Sequence, residues 1–339
     1  MEHAIPDASG HRKISLIVPV YNAEAYLPAM ARSVLEQDWE DFQIIFSDDG
    51  STDASPAILG ELAARDPRVT VVSGENAGVS TARNRALAAA EGALIGFADS
   101  DDLLLPGYFR TLAGLLEEYD ADAACCGFRR VYAASGVSDR MPPDAREIQV
   151  TDRDGFFAQM LRPDGYAMVI WNKLFRREAL LDETGALLQF DPALHIVEDG
   201  EFQFRTRVRR AVFTPEPLYE YTVRTTGAMY GAVTPRKLTE LAAREKIVEL
   251  CRDASPEVQN LARMKYQKGV RDLLFHAVIT GSRDAVKPCF PALKTYRREL
   301  FSSPFLSKKE KLKYHIYLPM IRLNLRRTGA FLMEKLSGH

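Results

Sequence analysis

From Lys13 onward, short unbroken apolar runs alternate with stretches whose apolar residues recur at helical spacing. The runs ISLIVPV (14–20), FQIIFS (42–47), 69–73 and 93–98 read as strands, and 25–37, 54–65 and 79–90 read as helices. Strands that are apolar throughout belong inside a sheet covered on both faces, and repeated strand-helix units of this length predict an α/β, Rossmann-like fold with a mixed, mainly parallel sheet. A helix is expected from Pro106 to Tyr119 and a strand over 123–131, followed by a loop over 133–145, rich in Ser, Gly, Pro and Asp. The pattern over 151–226 is mixed, with an apolar stretch at 167–175. Beyond Thr234-Pro235 only helices are expected, at 236–251 and 256–279. The chain is therefore read as a flexible tail (1–12), an α/β domain (13–232, with halves 13–132 and 133–232) and a helical C-terminal region (233–339).

Composition narrows the picture a little. With 339 residues, 46% hydrophobic, 27% charged and a net charge of −2, the chain can bury a substantial core, and its charge calls for no nucleic-acid partner. Cys125, Cys126, Cys251 and Cys289 lack metal-ligand spacing and read as free buried thiols. The first twelve residues are polar, and no run of about 18 apolar residues occurs. A cytoplasmic protein is expected. Residues 294–327 hold ten Lys/Arg against two Glu. With Tyr314, Ile316, Leu318 and Ile321, that segment suits peripheral contact with anionic lipid, the alternative being a solvated tail interrupted by Pro319.

Ligands of open parallel sheets bind beyond the carboxyl ends of the strands, and three such ends here are unusually polar. They are Pro19-Val20-Tyr21-Asn22, Ser47-Asp48-Asp49-Gly50-Ser51-Thr52-Asp53 and Asp99-Ser100-Asp101-Asp102. Three acids within four residues repel one another unless a cation lies among them, and hard oxygen donors on a short turn suit Mg²⁺ or Mn²⁺. The alternative is a solvated turn capping the next helix. The DDGS turn supports two readings: a tight turn with Gly50 at positive φ, or a site where Asp49 meets the edge of a uracil-like base beside Tyr21. Arg83 and Arg85 follow Asn76-Ala77-Gly78 at a helix start, where a cation and backbone N–H groups can face phosphate.

VPVYN, DDGSTD, GVSTARNRAL and FADSDD, in that order across residues 14–106, resemble the family 2 glycosyltransferases, inverting enzymes of the GT-A nucleotide-diphospho-sugar-transferase fold. That resemblance makes 13–132 the nucleotide-sugar-binding half and 133–232 the acceptor-side half. It implies nucleotide contacts at Pro19, Tyr21, Glu24, Asp49, Arg83 and Ser100. It also implies a ribose or diphosphate-side ligand at Asp99 and the chief metal ligand, for Mn²⁺ or Mg²⁺, at Asp101. Val197-Glu198-Asp199-Gly200 resembles the family's acidic turn, which makes Asp199 the general base and Glu198 a group that orients the acceptor. WNKLFRR (171–177) and YEYTVRTT (219–226) resemble further family stretches and add Lys173, Arg224 and Trp171, the last as a pocket wall or a core residue; with Asp102 of the acidic turn these are the weaker pocket candidates.

The function implied is transfer of a sugar from a nucleotide-diphosphate sugar, a UDP-sugar by resemblance, to a hydroxyl of a glycan or lipid-linked acceptor in surface polysaccharide synthesis. The alternative is a non-catalytic nucleotide-sugar-binding or scaffold protein of the same fold. A dinucleotide-dependent dehydrogenase would want GxGxxG after the first strand, where this chain has Pro-Val-Tyr-Asn.

Overall fold

The computed structural model describes residues 12–132, 136, 138–141, 146–223 and 233–280. They divide between two compact units, one running up to Pro192 and resuming with Glu198–Arg224, the other made of Ala193–Val197 and the residues from Thr225 on.

In the first unit β1 (Ile14–Val20) is buried at every position, as is β2 (Phe42–Asp48), because neighbours cover both faces of each. With β3 (Val69–Ser73) and β4 (Leu94–Phe97) they form the parallel order β3-β2-β1-β4. The helices between them carry one apolar face each. α1 (Leu27–Leu35) buries Leu27, Met30, Ala31 and Val34, the spacing of a single stripe. α2 (Ser55–Arg65) follows β2, and α3 (Val79–Ala88) turns Ala82, Arg83, Ala86 and Leu87 inward.

After β4 come the short β5 (Leu103–Leu104), the strongly amphipathic α4 (Tyr108–Glu118) and β6 (Ala123–Tyr132). β7 (Ser138–Met141) pairs antiparallel with β6, so the loop expected over 133–145 contains a strand; its Ser-, Gly- and Pro-rich flanks mask a four-residue pairing edge. β8 (Gln149–Asp152), α5 (Arg153–Leu161), β9 (Lys173–Arg176), α6 (Glu198–Phe204) and the long β10 (Arg210–Val223) complete the unit. The sheet continues β4-β9-β6-β10-β5, with β9 antiparallel to both neighbours and β10 parallel to β6. Six of the ten described strands thus run one way, a mixed, mainly parallel sheet.

The chain leaves β1 towards β2 and β3 on one side, then returns to β4 on the other. This reversal opens a crevice at the carboxyl ends of β1, β2 and β4, where an α/β sheet takes its ligands.

The second unit pairs α7 (Pro235–Leu250) with α8 (Pro256–Thr280). Thr234 caps α7 by accepting from the Lys237 N–H, and Ala243, Ile247, Leu261, Ala262 and Val270 are among its buried residues. No helix among the described residues is long and apolar enough to cross a membrane. Residues 1–11, Cys289 and the basic segment 294–327 lie outside the described residues.

Candidate functional site

The turns after β1 and β2 are laced together by short polar side chains. The Asn22 N–H donates to Ser51 Oγ (2.9 Å), the Thr52 N–H to Asn22 Oδ1 (2.8 Å), and the Ala23 N–H to Ser55 Oγ (2.9 Å). The Glu24 N–H donates to Asp53 (3.0 Å), while the Glu24 carboxylate accepts from the Ala54 N–H at the start of α2 (2.7 Å). Asp49 is buried and spends one oxygen on each of the Ala77 and Gly78 N–H groups (3.1 and 2.8 Å), fixing the entry to α3. Gly50 (φ +74) and Gly78 (φ +92) supply the left-handed backbone these turns need, and a Cβ on Gly50 would sit 2.8 Å from the Asn76 nitrogen. Tyr21 is left 52% exposed at the mouth of the crevice.

Beyond β4 the acidic turn is held from beneath. Tyr219 of β10 accepts the Asp99 N–H (3.1 Å) and donates its hydroxyl proton to Asp102 Oδ2 (2.9 Å), and Asp102 Oδ1 accepts the Thr222 N–H (2.9 Å). Burial, reinforced by nearby Asp99, pushes the Asp102 carboxyl well above the ordinary range. Asp102 therefore faces inward, while Asp99, Ser100 and Asp101 remain half-buried.

Arg83 joins this turn to α6. Its Nη2 lies 3.2 Å from Asp99 and its Nη1 2.9 Å from Glu198, and its guanidinium rests 5.3 Å from the Phe190 ring centroid. Burial alone would lower its proton affinity; Asp99, Glu198 and Asp199 more than offset that and hold it above the usual guanidinium value. One fixed cation therefore brings the acidic turn of β4 and the acidic turn of α6 together.

Asp199, half-buried in the first turn of α6, accepts from the Gly200 N–H (2.8 Å). Burial and the adjacent Glu198 raise its pKa, Arg83 and the Gly200 N–H oppose them, and the outcome is a carboxyl pushed up to about 7. Just before this turn Val197 takes φ +65, an outlier for a β-branched residue and of a kind that costs about 1–3 kcal/mol.

The model of "Glycosyl transferase family 2" matches residues 15–182. The uncharacterized glycosyltransferase EpsJ of Bacillus subtilis (strain 168) is 34% identical over 212 residues, 61% of this chain and 60% of EpsJ, so the match spans less than two thirds of that relative's length. The chain belongs to glycosyl transferase family 2. The fold agrees: residues 1–349 of S. aureus TarS, crystallised with UDP, superpose with a TM-score of 0.60 at 20% identity over 95% of this chain and 92% of that one. The mannosyltransferase PcManGT of Pyrobaculum calidifontis, in complex with GDP-Man and Mn²⁺, gives 0.53 at 17% identity over 98% and 90%. The family's GT-A fold is therefore this chain's fold.

Within that fold the strand ends carry the turns bearing Tyr21, Asp49, Asp99, Ser100 and Asp101, and Arg83 ties Asp99 to Glu198, beside Asp199 in sequence. Pro19 is buried in β1, opposite Ser47 of β2. Two expectations change. Asp102 is consumed by Tyr219 and Thr222 and does not line the pocket. Lys173, expected to meet phosphate or acceptor, is fully buried with its ammonium on the carbonyl oxygens of Ala167 and Val169 and on Asn172 Oδ1. Of the two readings of Trp171, pocket wall or core residue, the structure has the core one, its ring stacked 4.4 Å from Tyr219 and 5.5 Å from Tyr221. Glu24, exposed, accepts the Ala54 N–H with one carboxylate oxygen. Arg224 lies outside the described residues. Sequence reasoning missed Phe190 and Gln203, an aromatic and an amide in ordinary stretches, and, although 219–226 stood out, it missed the part Tyr219 plays beneath the acidic turn.

Among the described residues no three His, Cys, Asp or Glu side chains gather into a metal-binding cluster. With Asp102 turned inward, the acidic turn keeps two half-buried carboxylates, Asp99 and Asp101, as hard oxygen donors. That donor set fits a Mg²⁺- or Mn²⁺-sized ion that completes its shell with phosphate oxygens and water.

Proposed function

We propose that this chain is a metal-dependent, inverting glycosyltransferase that moves a sugar from a UDP-sugar to a hydroxyl of a glycan or lipid-linked acceptor in surface polysaccharide synthesis. We take residues 13–232 as the catalytic domain and 233–339 as a helical appendage. The observation that carries the reading is the Arg83 bridge, which ties Asp99 of the acidic strand-end turn to Glu198, the sequence neighbour of a carboxylate whose proton affinity is raised.

In this mechanism the exposed ring of Tyr21 receives the nucleobase, and Asp49, besides holding the 77–78 backbone, borders the base edge. Asp99 and Asp101 would hold Mn²⁺ or Mg²⁺, whose charge, when bound, neutralises the leaving diphosphate. Asp199 accepts the proton of the acceptor hydroxyl as its oxygen bonds to the anomeric carbon, while the bond to the diphosphate oxygen breaks on the opposite face. One displacement inverts the anomeric centre. A carboxylate that binds its proton more tightly than usual is the better base near neutral pH, and burial beside Glu198 supplies that tuning. Arg83 keeps the two acidic turns from repelling each other.

A UDP donor is supported by the UDP bound to TarS, and a metal requirement by the Mn²⁺ bound to PcManGT; PcManGT also binds GDP-Man, so the donor nucleotide must be measured. Calorimetric titration with UDP, GDP and dTDP, with and without Mn²⁺, tests the reading. Mn²⁺-dependent binding of UDP that disappears in Asp101→Ala is expected. Binding of none of the three would favour a scaffold that has lost the site.

A further inference from the structure

Between α5 and β9 the segment 166–169 has no regular structure, yet each of its four consecutive carbonyl oxygens receives a hydrogen bond from a fully buried side chain. Asn172 Nδ2 donates to Tyr166 (3.0 Å), Lys173 Nζ to Ala167 (3.3 Å) and Val169 (2.5 Å), and Gln203 Nε2 to Met168 (2.7 Å). The third ammonium proton of Lys173 goes to Asn172 Oδ1 (2.7 Å), so three N–H donors meet three acceptors, the pattern of a charged lysine. Burial lowers its proton affinity, and nearby Cys125 and Asp199 work against that. Ala167 is held at φ +63.

A loop that merely joined a helix to a strand could take these bonds from water. Here a buried charge and two buried amides are committed to it, a costly arrangement where only a connection is needed. With the carbonyls turned inward, the apolar residues Ala167, Met168 and Val169 keep part of their surface exposed, Val169 with its other part packed on the core. The second proton of the Gln203 amide goes to the carbonyl of Asp199 (2.9 Å), so a single side chain sets the spacing between that segment and the α6 turn.

We propose that residues 167–169 form the wall on which the apolar face of the acceptor rests, a sugar C–H face or an alkyl aglycone, and that Asn172, Lys173 and Gln203 are positioning residues for it. The inference rests on the reading of Asp199 as the base. Methionine, flexible and polarizable, suits a surface that must fit such a face.

The test uses the full chain with Mn²⁺ and a UDP-sugar, follows UDP release, and offers octyl β-glycosides of glucose, galactose and N-acetylglucosamine as acceptors. Met168→Glu is expected to raise acceptor KM about tenfold or more and Met168→Ala to reorder the three acceptors, with KM for the UDP-sugar within about twofold of wild type. Gln203→Met, which keeps the volume but removes both donors, should raise acceptor KM and lower kcat together. Melting curves for all three variants separate these effects from loss of fold, and Met168, being half-exposed, is the substitution least able to unfold the chain. Acceptor KM within twofold of wild type in Met168→Glu, or donor KM rising by the same factor, overturns the wall. Retained transfer by Asp199→Asn would instead sink the base assignment, leaving the acceptor KM values to judge the wall on their own.

Discussion

Asp199 costs the fold something when it ionises, and that cost has a sign that can be checked. Its folded pKa is raised above the ordinary carboxylate value. Below the ordinary value both folded and unfolded chains carry the proton and nothing is lost. Between the ordinary and raised values the folded chain keeps a proton that the unfolded chain releases, so stability falls as pH rises through that interval and levels off above it. Asp199→Asn should therefore melt progressively higher than wild type as pH is raised from 4 to 8, while transfer drops by about 10²–10⁴-fold, the usual contribution of a general base. Parallel melting curves across that range would show that the carboxyl is not buried in the way described. The same variant separates chemistry from architecture: its side chain still accepts from the Gly200 N–H but takes up no proton.

At the level of elements, the acidic turn after β4 depends on β10 more than on its own neighbours. Tyr219 is buried and supplies the acceptor for the Asp99 N–H and a donor to Asp102. Tyr219→Phe strands both groups, which should cost about 1–3 kcal/mol. A lowered urea midpoint at unchanged slope would register it, and an unaltered midpoint would mean that the turn does not need β10. This dependence marks where sequence reasoning stops. β1 to β4 and their helices were legible because each strand is a short, mainly apolar run and the polar turns after β1, β2 and β4 fall at strand ends. β10 was not, since Pro215, Glu216 and Pro217 interrupt its pattern at the point where the pairing with β6 shifts register. β7 was hidden for a similar reason. Within the site, Asp49, Asp99 and Asp101 stood out as polar residues at strand ends. The fates of Asp102 and Lys173 were invisible, because their partners are Thr222 and Tyr219 in one case and the Ala167 and Val169 carbonyls with Asn172 Oδ1 in the other. Local pattern tells that a charge is present and says nothing of which distant backbone will claim it.

For the whole molecule, the near-neutral total hides a basic segment at 294–327, which a lipid surface would read in isolation. Flotation with vesicles rich in anionic lipid should carry the full chain upward and leave behind a version ending near Thr295. Equal failure to float would remove the peripheral membrane contact expected of that segment. A lipid-linked acceptor would then have to reach the crevice by other means.

The pairing of Tyr219 and Thr222 with Asp102 also imposes an order on manufacture. A ribosome delivers Asp99, Asp101 and Asp102 some 120 residues before the strand that fixes them. For that interval of synthesis the acidic turn is complete in sequence but has no floor, and contacts of such long range form late. A fragment ending at residue 132 would contain the polar turns after β1, β2 and β4 and still lack Tyr219 and Thr222, so the acidic turn is fastened only once the chain is made through β10.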